Sequence, residues 1–245
     1  MLSPTPRTRS FPIIPVIICI NILPLIGVLY FNVSFFALFY LYWWETVIIS
    51  IFQFVKMGKA ELKTDPDPNF TVNGKTLTYQ QVNSKSYMRW SYGIIRTLML
   101  GFYLLFIIIF IGILTAINED PIAFANALLF LDPWVLLSFL GFFFTHLAEY
   151  VVWIRDKEYK TTSLRDLGNI FDSRVVVIHV VIVLGTFASM FAGEKLFPDV
   201  KNIGSIAYMC LFVLLKISVD VYAYSKNMKR THAINKLSGN FILKK

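Results

Sequence analysis

Unbroken apolar runs of roughly 20 residues decide what this chain can fold into, because about that many helical residues are needed to cross about 30 Å of hydrocarbon. Such runs cover about 11–31, 34–55, 92–117, 133–154, 175–191 and 203–224. A soluble domain of 245 residues has one core to fill, and a chain that is 56% hydrophobic and 16% charged carries more apolar sequence than that core needs. The expected fold is all-α, a polytopic membrane helix bundle of about six transmembrane helices forming a single membrane domain over 1–245.

The segments between the runs refine this. The chain opens on a polar stretch with Arg7 and Arg9 ahead of an apolar run, as a signal peptide does. No A-x-A-like cleavage site follows and the next segment is apolar again, so the run reads as a first span, with Pro15 near its entry and Pro24 as a kink. Only Asn32, Val33 and Ser34 separate it from the second run, which makes the pair a tight helical hairpin. Residues 56–91 are the one substantial hydrophilic stretch and are too short for an independent enzyme domain. They carry turn signals at Asp65-Pro66-Asp67-Pro68 and Asn73-Gly74, and the alternation around Asn73-Gly74 suits a short β-hairpin. Asn118-Glu119-Asp120-Pro121 stops the third run, and the apolar residues 122–131 are too few to cross, so they are expected at the interface or against the bundle.

Charge sets the orientation. The net charge is +8, but the basic residues lie in loops beside apolar runs, where topology and anionic headgroups account for them and nucleic acid does not. Six spans put the N-terminus, 56–91, 155–174 and the tail on one side with almost all the Lys and Arg, leaving only Lys195 and Lys201 on the other. The positive side is the cytoplasmic one, so both termini are expected there, in a bacterial or archaeal inner membrane. The expected partners are the lipid bilayer and other membrane proteins or a second copy of the chain. Cys19 and Cys210 fall inside separate apolar runs and read as small buried apolar residues rather than a disulfide or redox pair.

An ionisable side chain inside a span costs several kcal/mol unless paired or hydrated, which makes each one a functional candidate. These are Glu45, Arg96, His146, Glu149, His179, Lys216 and Asp220. At 1.5 Å per residue, Glu45 lies about 16 Å in from Lys56, Lys216 about 15 Å from Lys226 and His146 about 13 Å from Arg155. Glu149, His179 and Asp220 are shallower, about 8–9 Å from Arg155, Arg174 and Lys226. All of them fall in the cytoplasmic half, the pattern of a polar pocket opening to that side. His146 and Glu149 share a helix face, and with Glu45 and His179 they make a two-His, two-carboxylate set of the kind that binds a divalent metal such as zinc, iron or manganese. Lys216 and Asp220 have the spacing of an intrahelical ion pair.

Simpler readings compete. Asp220, Arg96 and Glu149 are shallow enough to snorkel, and a buried histidine often only bonds a neighbouring helix. A proton relay, an anion held by Lys216 and Arg96, and a haem on His146 and His179 are further readings, the haem ranking below a non-haem metal. The sequence has no G-x-S-x-G, phosphate loop, H-E-x-x-H or c-type haem motif.

Three stretches carry a resemblance: Tyr42-Trp43-Trp44-Glu45 leading to Lys56, Phe144-Thr145-His146, and Ser173-Arg174-Val175-Val176-Val177-Ile178-His179 leading to Gly185. Together they resemble an uncharacterised family of prokaryotic multi-pass membrane proteins, a domain of unknown function of the 6498 type. The resemblance implies no activity, but it singles out Glu45, His146, Arg174 and His179. The expectation is therefore a small transporter or metal-binding membrane protein, with Glu45, His146, Glu149 and His179 as ligands and Arg174 orienting a partner near the mouth. The alternatives are a non-catalytic membrane subunit or assembly factor whose polar residues only pair helices, and a membrane enzyme acting on lipid or quinone.

Overall fold

The structure is a computed structural model and describes residues 13–31, 33–66, 71–72, 74–112, 121–169 and 209–225. The described residues are mostly helical: α1 (Ile13–Tyr30), α2 (Phe35–Lys59), α3 (Lys85–Phe106), α4 (Pro121–Leu128), α5 (Pro133–Arg155) and α6 (209–225). The expected fifth span over 175–191 lies outside the described residues. Three helices, Phe36–Lys59, Lys85–Gly112 and Pro121–Arg155, are long and apolar enough to cross a membrane, and Ile14–Tyr30 is a shorter apolar helix.

The helix α2 is the axis around which the others pack. Its apolar window is 61% buried against 17% and 22% for the other two long helices, and it touches α1, α3, α4 and α5. Its last turn carries Lys56 and Lys59, whose charge complements the carbonyl end of the helix dipole. The neighbours bury one stripe each at helical spacing: Met88, Tyr92, Arg96 and Leu100 on α3, Val135, Ser138, Phe142 and His146 on α5, and Met209, Phe212, Val213, Lys216 and Asp220 on α6. Their outward faces are apolar too. Leu98 is 70% exposed and Leu211 66%, a pattern a water-facing helix does not show.

Helices overrun the apolar spans because hydropathy marks the apolar part of a helix and not its hydrogen-bonded end. Thus α2 continues to Lys59, and α3 starts at Lys85, where the Ser84 side chain accepts from the Tyr87 amide. Beyond Phe106 α3 continues as a π-helical turn over Ile107–Gly112. Between α2 and α3, β1 (Thr71–Val72) pairs antiparallel with β2 (Lys75–Thr76), and Gly74 at φ +72 supplies the left-handed turn residue. The apolar residues after Pro121 form the short α4. Phe130, at φ +57, then breaks the helix between α4 and α5 while packing on Trp44 and Phe139. Asp132 caps α5 by accepting from the amides of Trp134 and Val135, with Pro133 in the first turn, where its missing N–H costs nothing.

The segments after α2 and after α5 meet at one end of the bundle. The Glu61 amide donates to the Tyr159 carbonyl at 2.9 Å and the Leu62 amide to that of Thr162 at 3.3 Å. Met57, Leu77, Val82, Met88 and Leu164 form a second apolar cluster beneath them. The thiols of Cys19 and Cys210 are free, but Cys19 faces outward rather than into the bundle as expected. On a helix apolar all round, hydropathy does not say which side packs.

Candidate functional site

Four helices bring six polar side chains into one hydrogen-bonded and ionic chain. On α6, Lys216 and Asp220 are one turn apart, and the Lys216 ammonium contacts the Asp220 Oδ2 carboxylate oxygen. The same Nζ lies 2.5 Å from Glu45 Oε2 on α2. Glu45 Oε1 is 3.4 Å from His146 Nε2 on α5, and the other ring nitrogen, Nδ1, is 3.3 Å from Glu149 Oε2 one turn further on. At the far end Asn21 of α1 donates through Nδ2 to Asp220 Oδ2 at 3.1 Å and to the Ile17 carbonyl at 2.9 Å. The order is Asn21–Asp220–Lys216–Glu45–His146–Glu149.

The chain is graded in depth. The side chains of Lys216, Asp220, Glu45 and His146 are all buried, whereas that of Glu149 is 22% exposed. Rings insulate the lysine: its ammonium stands 5.2 Å from the centre of Tyr42 and 5.9 Å from that of Phe142. Tyr42 also donates its hydroxyl to the Asn21 carbonyl at 2.6 Å, fixing α1 to α2 at this depth. A small cavity is lined by Asn21, Glu45, Thr145, His146, Glu149 and Asp220, with room for roughly one water molecule.

Protons can be counted on the imidazole. Each of its nitrogens faces a carboxylate oxygen, and each such contact needs a proton between the two atoms. A neutral imidazole carries one N–H, so the second proton is held either by the ring or by a carboxyl group. The arrangement can therefore hold one proton in common among Glu45, His146 and Glu149.

The sequence-predicted residues divide into three groups. Glu45, His146, Glu149, Lys216 and Asp220 lie in this chain. Arg96 is brought to a different side of α2, where its Nε donates to Ser50 Oγ at 2.8 Å and Ser50 donates to the Thr46 carbonyl at 2.6 Å. Arg174 and His179 lie outside the described residues. Among the described residues no three His, Cys, Asp or Glu side chains could hold a metal ion together. At His146, Glu45 and Glu149 stand at opposite nitrogens of the ring, and the fourth predicted ligand, His179, lies outside the described residues. Asn21 and Tyr42 were not singled out in the sequence. An uncharged amide inside an apolar run was the available signal for the first, since such groups bond across helices; Tyr42 sits in an aromatic run that gave none.

The fold and the site define an all-α protein with three helices able to cross a membrane and a buried ionic chain where four helices meet. The chain belongs to a family of unknown function, DUF6498, whose model matches residues 3–237. No curated protein and no solved structure matches it.

Proposed function

We propose that this protein is a polytopic inner-membrane protein of about six spans that handles protons through the Glu149–His146–Glu45–Lys216–Asp220 chain, as part of a small transporter. The observation that carries the reading is the imidazole of His146 held between two carboxylates, with Glu149 partly exposed and the remaining members buried. Ionisable groups cost too much inside an apolar bundle to gather there without paired partners, and a run of them at graded depth is the usual form of a proton path. The apolar outward faces of α3, α5 and α6 support lipid as their solvent. The pairing of Leu62 with Ser163 supports a shared side for the two basic segments, as an even span count with cytoplasmic termini requires.

The test is proton flux into liposomes carrying the purified protein, read with an internal pH dye under an imposed potassium-diffusion potential. Flux well above that of empty liposomes, cut about tenfold or more in Glu45→Gln, is the expected result; one removed carboxylate interrupts the path, and about 1.4 kcal/mol on a barrier is already tenfold. Flux equal to empty liposomes in a folded wild type would sink the reading.

A second reading has its own observation. Lys216 stands between two carboxylates, Glu45 and Asp220, which is how a buried cation is neutralised for helix pairing alone. A non-catalytic subunit built this way would lose stability in Glu45→Gln and show no flux in either form.

A further inference from the structure

Asn21 is 2% exposed, and its side chain is only half used. Its nitrogen is committed to two acceptors, the Ile17 carbonyl and Asp220, which fixes the amide orientation. The oxygen, Oδ1, is buried and accepts no hydrogen bond. A buried amide oxygen left this way costs about 1–3 kcal/mol, so it is rarely left without a partner.

Asn21 lines the cavity described above, and the other polar groups around that cavity are rich in oxygen: the carboxylates of Glu45, Glu149 and Asp220, and the hydroxyl of Thr145. Thr145 spends its proton on the Gly141 carbonyl at 2.8 Å, so it offers the cavity lone pairs. The remaining wall is Ile17, Ile20, Phe142 and the His146 ring, whose two nitrogens already face Glu45 and Glu149, and a Cβ on Gly141 would come within 2.9 Å of Ile20 Cδ1, so α1 and α5 close tightly there. A guest in this space meets acceptors and apolar wall, with no room for a hydration shell or an organic group.

Resting on the ion-handling reading above, we propose that the cavity binds one bare alkali-metal cation of sodium's class, held by Asn21 Oδ1 with the Glu45 and Asp220 carboxylates. With both His146 nitrogens engaged by carboxylates, the ligands left to a guest are oxygens, which select a hard cation over zinc or iron. The single charge follows from Lys216, whose ammonium already contacts one oxygen of each carboxylate and repels a divalent ion more strongly than a monovalent one. The cation and the Lys216 ammonium therefore compete for Glu45 and Asp220, which ties occupancy of the cavity to the ionic chain.

The test is thermal unfolding of the full chain in detergent as sodium chloride replaces choline chloride at constant ionic strength. A saturable rise in the wild-type midpoint is expected. Asn21→Leu should weaken the apparent sodium affinity about tenfold, as loss of one good ligand does. Asn21→Asp keeps the oxygen but turns a second anionic oxygen toward Asp220 and the Ile17 carbonyl. It should therefore unfold earlier in choline and show a larger sodium-induced rise than wild type, which holds the test open if the leucine variant does not fold. Identical unfolding in sodium and choline would mean that the cavity takes water alone and would overturn the proposal. So would a sodium response that neither variant changes. Proton flux without a sodium response removes this inference and leaves the proposed function; a sodium response without flux does the reverse.

Discussion

From Phe36 to Trp44, α2 is buried mainly by rings, and from Glu45 to Gln53 polar partners join the apolar packing of Ile48 and Phe52. In the first half Phe36 stacks on Tyr40 at 5.1 Å and meets Phe124 edge-on at 4.8 Å, while Trp44 meets Phe130 and Phe139. In the second, Glu45 reaches Lys216 and His146, Ser50 takes Arg96, and Gln53 accepts from Tyr92. Ring packing is not directional in charge, so the first half fixes shape and stability without selecting a particular polar partner. Charges have few acceptable partners at low dielectric, so the second half fixes which helices meet and at what height.

That contrast can be broken by mutation. The largest effect is expected for Lys216→Met, which strands Glu45 and Asp220 beside one another; loss of one partner of a buried pair costs about 3–5 kcal/mol. Adding Glu45→Gln to it should return much of that loss, as measured by reversible unfolding in detergent. A non-additivity near zero would mean that the two charges are not coupled. Phe36→Ala comes next, at about 3 kcal/mol for a fully buried ring, with proton flux per folded molecule unchanged. If Phe36→Ala abolished flux in folded protein, the division between a shaping half and a working half would fail. Tyr42→Phe is the smallest, about 1 kcal/mol for the hydroxyl that bonds the Asn21 carbonyl. A cost above that of Phe36→Ala would show that the α1–α2 tie, and not the ring packing, sets the stability of the bundle.

The sequence revealed depth well and direction poorly. Glu45, His146 and Lys216 were placed at similar heights by counting 1.5 Å per residue from the flanking basic residues, and the structure joins these three. The pairing of Lys216 with Asp220 was also legible, because four residues make one turn of a helix. Nothing local could show that Glu45 and Arg96 look to different sides, since each lies on a helix that is apolar nearly all round and has no polar face to give its rotation. The same blindness hid the outward turn of Cys19. Asn21 is uncharged, so nothing in its own segment marks it as a charge would, and its importance comes from a helix far along the chain. The hairpin at Gly74 and the short α4 were legible because turn residues and run lengths are local signals.

The contact between Glu45 and Lys216 also orders events during synthesis. On the membrane reading, the second span leaves the ribosome with an acidic side chain in its middle, and the lysine that neutralises it is made several spans later. Until then Glu45 must stay protonated, remain near the translocation channel, or be shielded by another protein. Final seating of the early helices therefore waits on the helix that carries Lys216, and a chain truncated before residue 216 should be held back or degraded although its earlier helices are complete.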